Sequence, residues 1–179
     1  MAKQVETTYG DALLALALEE GTLDVLYEEA QALVTVLQEN EELLRILKHP
    51  QIEKEEKKKI VETIFKDRIS KDMLGLFAVL VDKDHSGSLI EVLCYFIRQV
   101  KKEKNIGVAG VTSAVALTET QKAAIEKRLL DTTDFQSMEI AYEVDASLLG
   151  GLVIRIDDRV VDSSIRTKLE TMSKTLAQS

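Results

Sequence analysis

The feature that most constrains this chain is the helical spacing of apolar residues through its first hundred positions. The clearest stripe steps by three and four residues through Leu23, Leu26, Ala30, Leu33 and Leu37. This is the period of an amphipathic α-helix with one apolar face. Because the whole sequence contains one proline, long segments can run as uninterrupted helix. The sequence therefore predicts a mainly α-helical fold.

The stripe recurs in successive segments separated by short breaks, among them Gly21, Pro50 and the run Asp84–Gly87. Short connections between helices of this length are typical of a bundle, and we predict one of six helices over residues 1–104. Thr22 and Asn40 stand where the N-caps of the second and third helices are expected.

The pattern changes after Asn105, where Val, Ala, Ser and Thr with partial alternation favour strands. Thr118 and Gln121 have the spacing of a capping box and predict a helix through Leu130. The predicted strands are Ile106–Leu117, Ser137–Val144, Leu152–Ile156 and Arg159–Asp162, and a last helix carries Ile165, Leu169, Met172 and Leu176. Residues 105–179 are therefore predicted to form a small α/β domain, which is marginal alone and leans on a partner.

Charge and cysteine usage exclude several classes of protein. The net charge is -8, and residues 1–104 carry 15 Lys and Arg against 20 Asp and Glu, while residues 105–179 carry 8 against 11. No basic module for nucleic acid is expected in either half. The single Cys94 cannot form an internal disulfide or a structural zinc site.

The sequence also predicts no direct membrane insertion. The first residues lack the apolar segment of a signal peptide and the Arg-rich and Ser-rich character of a transit peptide. No apolar run approaches the roughly 18–20 residues that span a bilayer. If the protein works at a membrane, a partner must hold it there.

No catalytic residue, metal site or cofactor is predicted. Gly150-Gly151 is interpreted as a tight turn, since it lacks the G-x-G-x-x-G spacing and a strand follows it. Asp145 is expected to hydrogen-bond nearby backbone N–H groups and fix this turn. His49 and His85 have no Ser or Cys partner that would suggest a triad.

The segment Met138–Asp157 reads M-E-I-A-Y-E-V-D-A-S-L-L-G-G-L-V-I-R-I-D. It resembles the fingerprint of the delta subunit of F-type ATP synthases, a family that includes the mitochondrial oligomycin-sensitivity-conferring protein. The resemblance continues through Leu169 and extends to the first half, where Tyr9 precedes an Ala/Leu-rich helix. The chain departs from the family pattern at turns and helix edges, at Gly10, His85, Asp157 and Ser163.

The resemblance implies a non-catalytic stator subunit. Family members carry a six-helix bundle that receives the N-terminal helix of one alpha subunit in a groove between its first and last helices. Their small α/β domain binds the C-terminal helices of the b subunits. The protein would then sit at the cytoplasmic face of the cell membrane, held there by the complex.

Two sets of residues follow from this resemblance. The expected alpha-subunit groove comprises Tyr9, Ala12, Leu13, Leu16, Leu89, Leu93, Phe96 and Val100, and the small Gly10 and Ala12 would let a guest helix approach closely. The expected stalk-binding or family-motif residues are Val144, Asp145, Leu148, Leu149, Gly150, Gly151, Ile154, Arg155, Asp162 and Leu169. The groove stripes must also fill the bundle core, and the sequence does not divide core from groove.

Two alternatives remain at the level of sequence. The chain could be a helix-binding adaptor in another multi-subunit assembly, with unrelated partners. It could also be a small hydrolase or transferase built on its Asp residues, which predicts a concave pocket with a perturbed acid.

Overall fold

The predicted leucine stripes lie on helices. The computed structural model describes residues 2–49, 51–66, 68–156 and 159–169. Its helices up to residue 103 are α1 (Ala2–Glu20), α2 (Leu23–Glu39), α3 (Glu41–Lys48), α4 (Lys54–Phe65), α5 (Lys71–Asp82) and α6 (Leu89–Glu103). A short 3₁₀ turn, Ser86–Ser88, precedes α6. The chain divides into two units, Met1–Val100 and Lys101–Ser179.

The core of the first unit is built from the stripe residues. In α2, Leu26, Ala30, Leu33 and Leu37 are buried, while Leu23 packs at the edge of the core. Aromatic rings fill the centre, where the Phe65 and Phe77 rings lie 5.5 Å apart in a tilted arrangement. Burial of such side chains contributes roughly 1.5–3 kcal/mol each, so this core supplies most of the stability of the unit.

Helices α1 and α6 contact each other at Gly10. A Cβ at this position would overlap the ring of Tyr95, whose hydroxyl donates a 2.9 Å hydrogen bond to Asp11 Oδ1. Glycine is therefore required for the close approach of the two helices. The expectation that Gly10 admits a guest helix is wrong, because Tyr95 of the same chain already occupies that space.

The predicted caps of α2 and α3 differ from expectation. Thr22 stands at the N-cap of α2, but its side chain makes no capping hydrogen bond and its Oγ1 is buried without a partner. Asn40 likewise makes no side-chain bond to α3. Its Nδ2 instead donates to Val36 O at 2.7 Å, so Asn40 satisfies a carbonyl at the end of α2.

Two polar contacts fix the position of α5. Ser70 is its N-cap and accepts a hydrogen bond from Met73 N. The carboxylate of Glu29 on α2 accepts hydrogen bonds from both Ser70 N at 2.9 Å and Ser70 Oγ at 2.7 Å. At the other end, Lys54 of α4 donates to Asp82 O and Asp84 Oδ2, and this pairing holds the pKa of Asp84 below its ordinary value.

The second unit is a four-stranded sheet with a helix on one face. Its elements are β1 (Ile106–Ser113), α7 (Glu119–Thr132), β2 (Ser137–Val144), β3 (Leu152–Ile156) and β4 (Arg159–Asp162), in the sheet order β2-β1-β3-β4. The strand β1 pairs in parallel with β2 and antiparallel with β3, and β3 pairs antiparallel with β4. The fold is thus mainly helical with a small C-terminal sheet, as the sequence predicts.

The capping box of α7 is present, with Thr118 and Gln121 bonded reciprocally. The first strand ends at Ser113, before the predicted Leu117, because Ser113 Oγ turns back to donate to Val115 O at 2.7 Å. Residues 165–169 are helical. The rest of the predicted last helix lies outside the described residues, and so do residues 157 and 158 between the last two predicted strands.

We expect Gly10→Ala to destabilise the protein by about 1–3 kcal/mol, because the new methyl group displaces the Tyr95 ring and strains its bond to Asp11. Gly75→Ala is the matched control, since Gly75 also lies inside a helix but has no atom near its Cβ position. That control should be stabilised by about 0.5–1 kcal/mol. Urea denaturation measures both, and equal effects of the two substitutions would contradict the proposed contact.

Candidate partner-binding surfaces

The predicted alpha-subunit groove separates into core and surface in this structure. Five of its residues are buried in the first unit, namely Leu13, Leu89, Leu93, Phe96 and Val100. Tyr9 and Leu16 are half-buried and Ala12 is exposed. These three lie on one face of α1, at spacings of three and four residues. A partner could reach only this second group without unfolding the unit.

The accessible face of α1 begins at Tyr9. The centre of its ring lies 6.1 Å from that of the His85 ring, so Tyr9 packs against the residue that precedes the 3₁₀ turn. Leu18, near the end of the helix, is 51% exposed. Leu18 lies two residues after Leu16 and therefore on a different face of α1, outside the predicted stripe.

The backbone conformation of the Gly150-Gly151 turn requires glycine at both positions. Gly150 has φ 153° and Gly151 has φ 81°, which L-residues rarely adopt. A Cβ on Gly151 would lie 2.5 Å from Ser163 O and 3.0 Å from Ser164 Cα. A Cβ on Gly150 would meet the Ile165 side chain at 2.6 Å. The predicted turn is confirmed, and its glycines also allow the chain after β4 to approach closely.

Two motif aspartates hold the ends of this turn region. Asp145 Oδ1 accepts a hydrogen bond from Ser147 N at 2.9 Å, and this bond lowers the pKa of Asp145. Asp162 accepts from Thr167 Oγ1 at 2.7 Å and from Ser164 N at 2.8 Å, which lowers its pKa in the same way. Asp162 therefore positions Ser164, whose Oγ accepts a hydrogen bond from Thr167 N at 3.2 Å and caps the helical residues 165–169. Both carboxylates serve the local fold.

Leu149 is the unusual residue of the motif. It has φ 61° and ψ -15°, in the left-handed region, and its side chain is 68% exposed. Leucine in this conformation costs about 1–2 kcal/mol relative to glycine. Because the side chain is mostly exposed, its burial contributes little free energy to offset this backbone strain. Leu149 is therefore both strained and exposed.

Leu149 lies at the rim of an apolar depression. The depression has a volume of about 470 Å³ and lies between the end of β1, the start of α7 and the glycine turn. Its apolar wall includes Val115, Leu117, Ile125 and Leu152. Val115 is 70% exposed. Sequence analysis missed Val115 because it was assigned to a strand, whereas it follows the strand and faces outward.

The remaining motif residues divide between sheet and surface. Ile154 is half-buried and packs against the α7 side of the sheet, opposite Val111 in the register. Leu148 is half-buried in the turn, while Val144, Arg155 and Leu169 are exposed. Val144 and Leu169 are thus exposed apolar residues, as Leu149 is.

Reactive chemistry is not evident in the described ranges. Within them, no group of three or more His, Cys, Asp and Glu side chains could hold a metal ion. Cys94 is half-buried in α6, and burial raises the pKa of its thiol, which disfavours the reactive thiolate. No described helix combines the length and apolar character that crossing a membrane requires.

Comparison with known proteins decides the family. The family model described as "ATP synthase delta (OSCP) subunit" matches residues 5–176. The chain belongs to the ATP synthase delta (OSCP) subunit family. Proteins named ATP synthase subunit delta include one from Lachnoclostridium phytofermentans, which is 50% identical over 176 residues, covering 98% of this chain and 97% of that protein. One from Synechococcus is 34% identical over 177 residues, covering 99% and 97%.

A solved structure shows the same fold. A chain in the cryo-EM structure of the Toxoplasma gondii mitochondrial ATP synthase hexamer matches with a TM-score of 0.77 and 17% identity, covering 96% of this chain and 97% of that one. Members of the delta (OSCP) family are structural subunits, and this chain is accordingly not an enzyme. Family membership decides against both the hydrolase and the unrelated adaptor.

We expect Gly151→Ala to destabilise the second unit by at least about 2 kcal/mol, because the methyl group meets backbone atoms in a conformation unfavourable for alanine. Gly110→Ala is the control, since Gly110 also lies in this unit and has open space at its Cβ position. That change should alter stability by no more than about 1 kcal/mol. Amide hydrogen exchange of β1 and β3 measures the difference, and unchanged protection in the Gly151 variant would contradict the backbone contact.

Proposed function

We propose that this chain joins the catalytic head of an F-type ATP synthase to its peripheral stalk as the delta subunit. In this proposal the first unit, as a six-helix bundle, binds the N-terminal helix of an alpha subunit. The second unit binds the C-terminal helices of the b subunits. The chain thereby sits at the cytoplasmic face of the cell membrane through the complex, as expected for a protein with bacterial relatives.

The work of such a subunit is mechanical. Ion flow turns the rotor, and the rotor's torque tends to turn the head with it. Only a head that stays still converts rotation into conformational change at the catalytic sites. The link must therefore hold through slow dissociation at each interface, and apolar helix-in-groove contacts provide this without any chemistry.

The observation that carries the proposal for the second unit is the state of Leu149. A strained and exposed leucine is unfavourable in the free chain, so its position is best explained by a contact made in the assembly. The depression beside it, with Val115 and Leu152, offers a place for an apolar side chain of a partner helix. A strained turn also fixes the direction of Leu149, which reduces the entropy lost on binding.

Support for the alpha-subunit contact comes from α1. Tyr9, Ala12 and Leu16 form an accessible apolar line along this helix. A guest helix needs anchors at such spacings. The close packing of α6 on Gly10 restricts the contact to the side of α1 that faces away from Tyr95.

We expect Ala12→Asp to weaken binding of a peptide carrying the alpha subunit's N-terminal helix by about tenfold or more, since a charge would be desolvated in an apolar contact. Ala32→Asp is the control, because Ala32 is an exposed alanine on α2. Fluorescence anisotropy with the labelled peptide measures both affinities. Equal affinities for the two variants would exclude this face of α1.

We expect Leu149→Asn to keep the fold, because asparagine tolerates the left-handed conformation better than leucine does. The same change should weaken binding of a peptide from the C-terminal region of the b subunit by about tenfold, through loss of the apolar anchor. Val160→Thr, which also removes an exposed apolar surface, should change the affinity by less than about twofold. Undiminished binding of the Leu149 variant, with its fold intact, would exclude Leu149 from the interface.

A further inference from the structure

In the described part of the second unit, α7 packs over two of the four strands of the sheet. Its Leu129 is buried together with Ala109 of β1 and Met138 of β2. An α-helix is about 10 Å wide and neighbouring strands lie about 4.8 Å apart, so one helix covers about two strands. The face of β3 and β4 on the same side of the sheet therefore extends beyond α7.

The strand register identifies the residues on this part of the sheet. The buried residues of β1 that face α7 pair with Leu152, Ile154 and Ile156 of β3, which puts these three on the α7 side. In β4, Val161 pairs with Ile154 and Arg159 pairs with Ile156, so both lie on the same side. These five residues, Leu152, Ile154, Ile156, Arg159 and Val161, form the β3–β4 lane.

The β3–β4 lane is mostly apolar and accessible. Val161 is 60% exposed, and the three residues of β3 are only half-buried. An apolar depression lies at each end of the lane. One is the depression beside Leu149, which includes Leu152. The other has a volume of about 600 Å³ and includes Phe135, Ile156 and Val161. The lane thus continues the surface proposed above for the stalk.

The dimensions of the β3–β4 lane fit one short helix. The five residues of β3 extend over about 17 Å at about 3.4 Å per residue. About eleven helical residues, or three turns, have the same length. A helix at this position would lie beside α7 at the usual distance between packed helices, about 8–10 Å. Apolar side chains at positions i, i+4 and i+7 would then reach the lane.

The charges beside the lane select the kind of helix. On α7, Ile125 and Thr132 line the two depressions, and Arg128 lies on the same helix face at spacings of three and four residues. Arg159 lines the second depression together with Asp134. Two arginines against one aspartate leave an excess of one positive charge, within a chain of net charge -8. A helix with acidic residues beside its apolar stripe is complementary to this surface.

We propose that the β3–β4 lane binds one helix from the C-terminal region of a b subunit, with its apolar stripe on the lane and its acidic residues toward Arg128 and Arg159. This assignment rests on the proposed function, which supplies the partner, and adds to it the position of the helix and a charge requirement. Leu149, at one end of the lane, contacts the same helix. The bound helix and α7 together cover all four strands.

Two adjacent valines of β4 provide a matched test. Val160 and Val161 are 54% and 60% exposed, and they lie on opposite faces of the sheet. In the full chain, Val161→Asp should weaken binding of the b-subunit peptide at least about tenfold, because a carboxylate would be desolvated under the helix. Val160→Asp should change the affinity by less than about twofold. Fluorescence anisotropy measures both affinities, and circular dichroism checks the fold.

The outcomes separate this inference from the proposed function. If the wild-type chain fails to bind the peptide, the proposed function is wrong and the assignment of the lane is wrong with it. If the wild type binds and a folded Val161→Asp protein binds equally well, the lane alone is excluded. Equal losses of affinity in both valine variants would exclude it too.

Charge reversal keeps the test decisive if Val161→Asp fails to fold. Arg159→Glu and Arg155→Glu make the same change at exposed positions on opposite faces of the sheet. At low salt, the first should weaken peptide binding at least about fivefold and reduce the salt dependence of the affinity. The second should change the affinity by less than about twofold. Equal effects of the two would overturn the proposal.

A cross-linker in the lane identifies its occupant. In a Cys94→Ala background, Val161→Cys carries a benzophenone, and mass spectrometry locates the residues captured on irradiation with the b-subunit peptide present. We expect capture of the peptide. Capture of residues 170–179 of the same chain, or of a second copy of this chain, in place of the peptide would overturn the proposal.

Discussion

The second unit depends on one close approach of two backbone segments. Gly151 lies against Ser163 and Ser164, and two hydrogen bonds hold the segments together, from Ser163 N to Leu152 O and from Ile165 N to Gly150 O, each at 2.9 Å. These contacts join the start of β3, the end of β4 and the helical residues that follow. Side-chain packing alone would be weak here, because the buried cluster of this unit is small.

The first unit is held together differently. A continuous cluster of buried leucine, valine and phenylalanine side chains spans its helices. Polar contacts then select the arrangement. Glu29 accepts hydrogen bonds from the N-cap Ser70, and the Tyr95 hydroxyl donates to Asp11 beside Gly10. The two units therefore fix their surfaces by different means, one by side-chain packing and the other by backbone geometry. Each presents apolar residues to solvent at defined positions.

The sequence predicts most of the architecture because the relevant signals are local. The leucine spacing of α2, the capping box at Thr118 and the glycine turn at Gly150 each depend on a few neighbouring residues. The resemblance to a known family then predicts how these local elements combine into one fold. Where a competing local bond exists, prediction fails, as at Asn40, whose amide serves the preceding helix.

Features that depend on packing between distant segments could not be predicted. The stripe on α6 does not reveal that Leu93 is core while α1 keeps an accessible line, since both have the same period. The exposure of Leu149 could not be predicted without knowing its backbone angles and the depression beside it.

The uncovered leucine at the glycine turn also affects the life of the chain before assembly. Chaperones and proteases bind exposed apolar residues, which they meet mainly on unfolded or orphaned proteins. A copy without its partners shows such residues permanently, because the strained turn cannot hide them. We therefore expect cellular quality control to remove surplus copies in which this leucine stays exposed, which would match the amount of the chain to that of its partners.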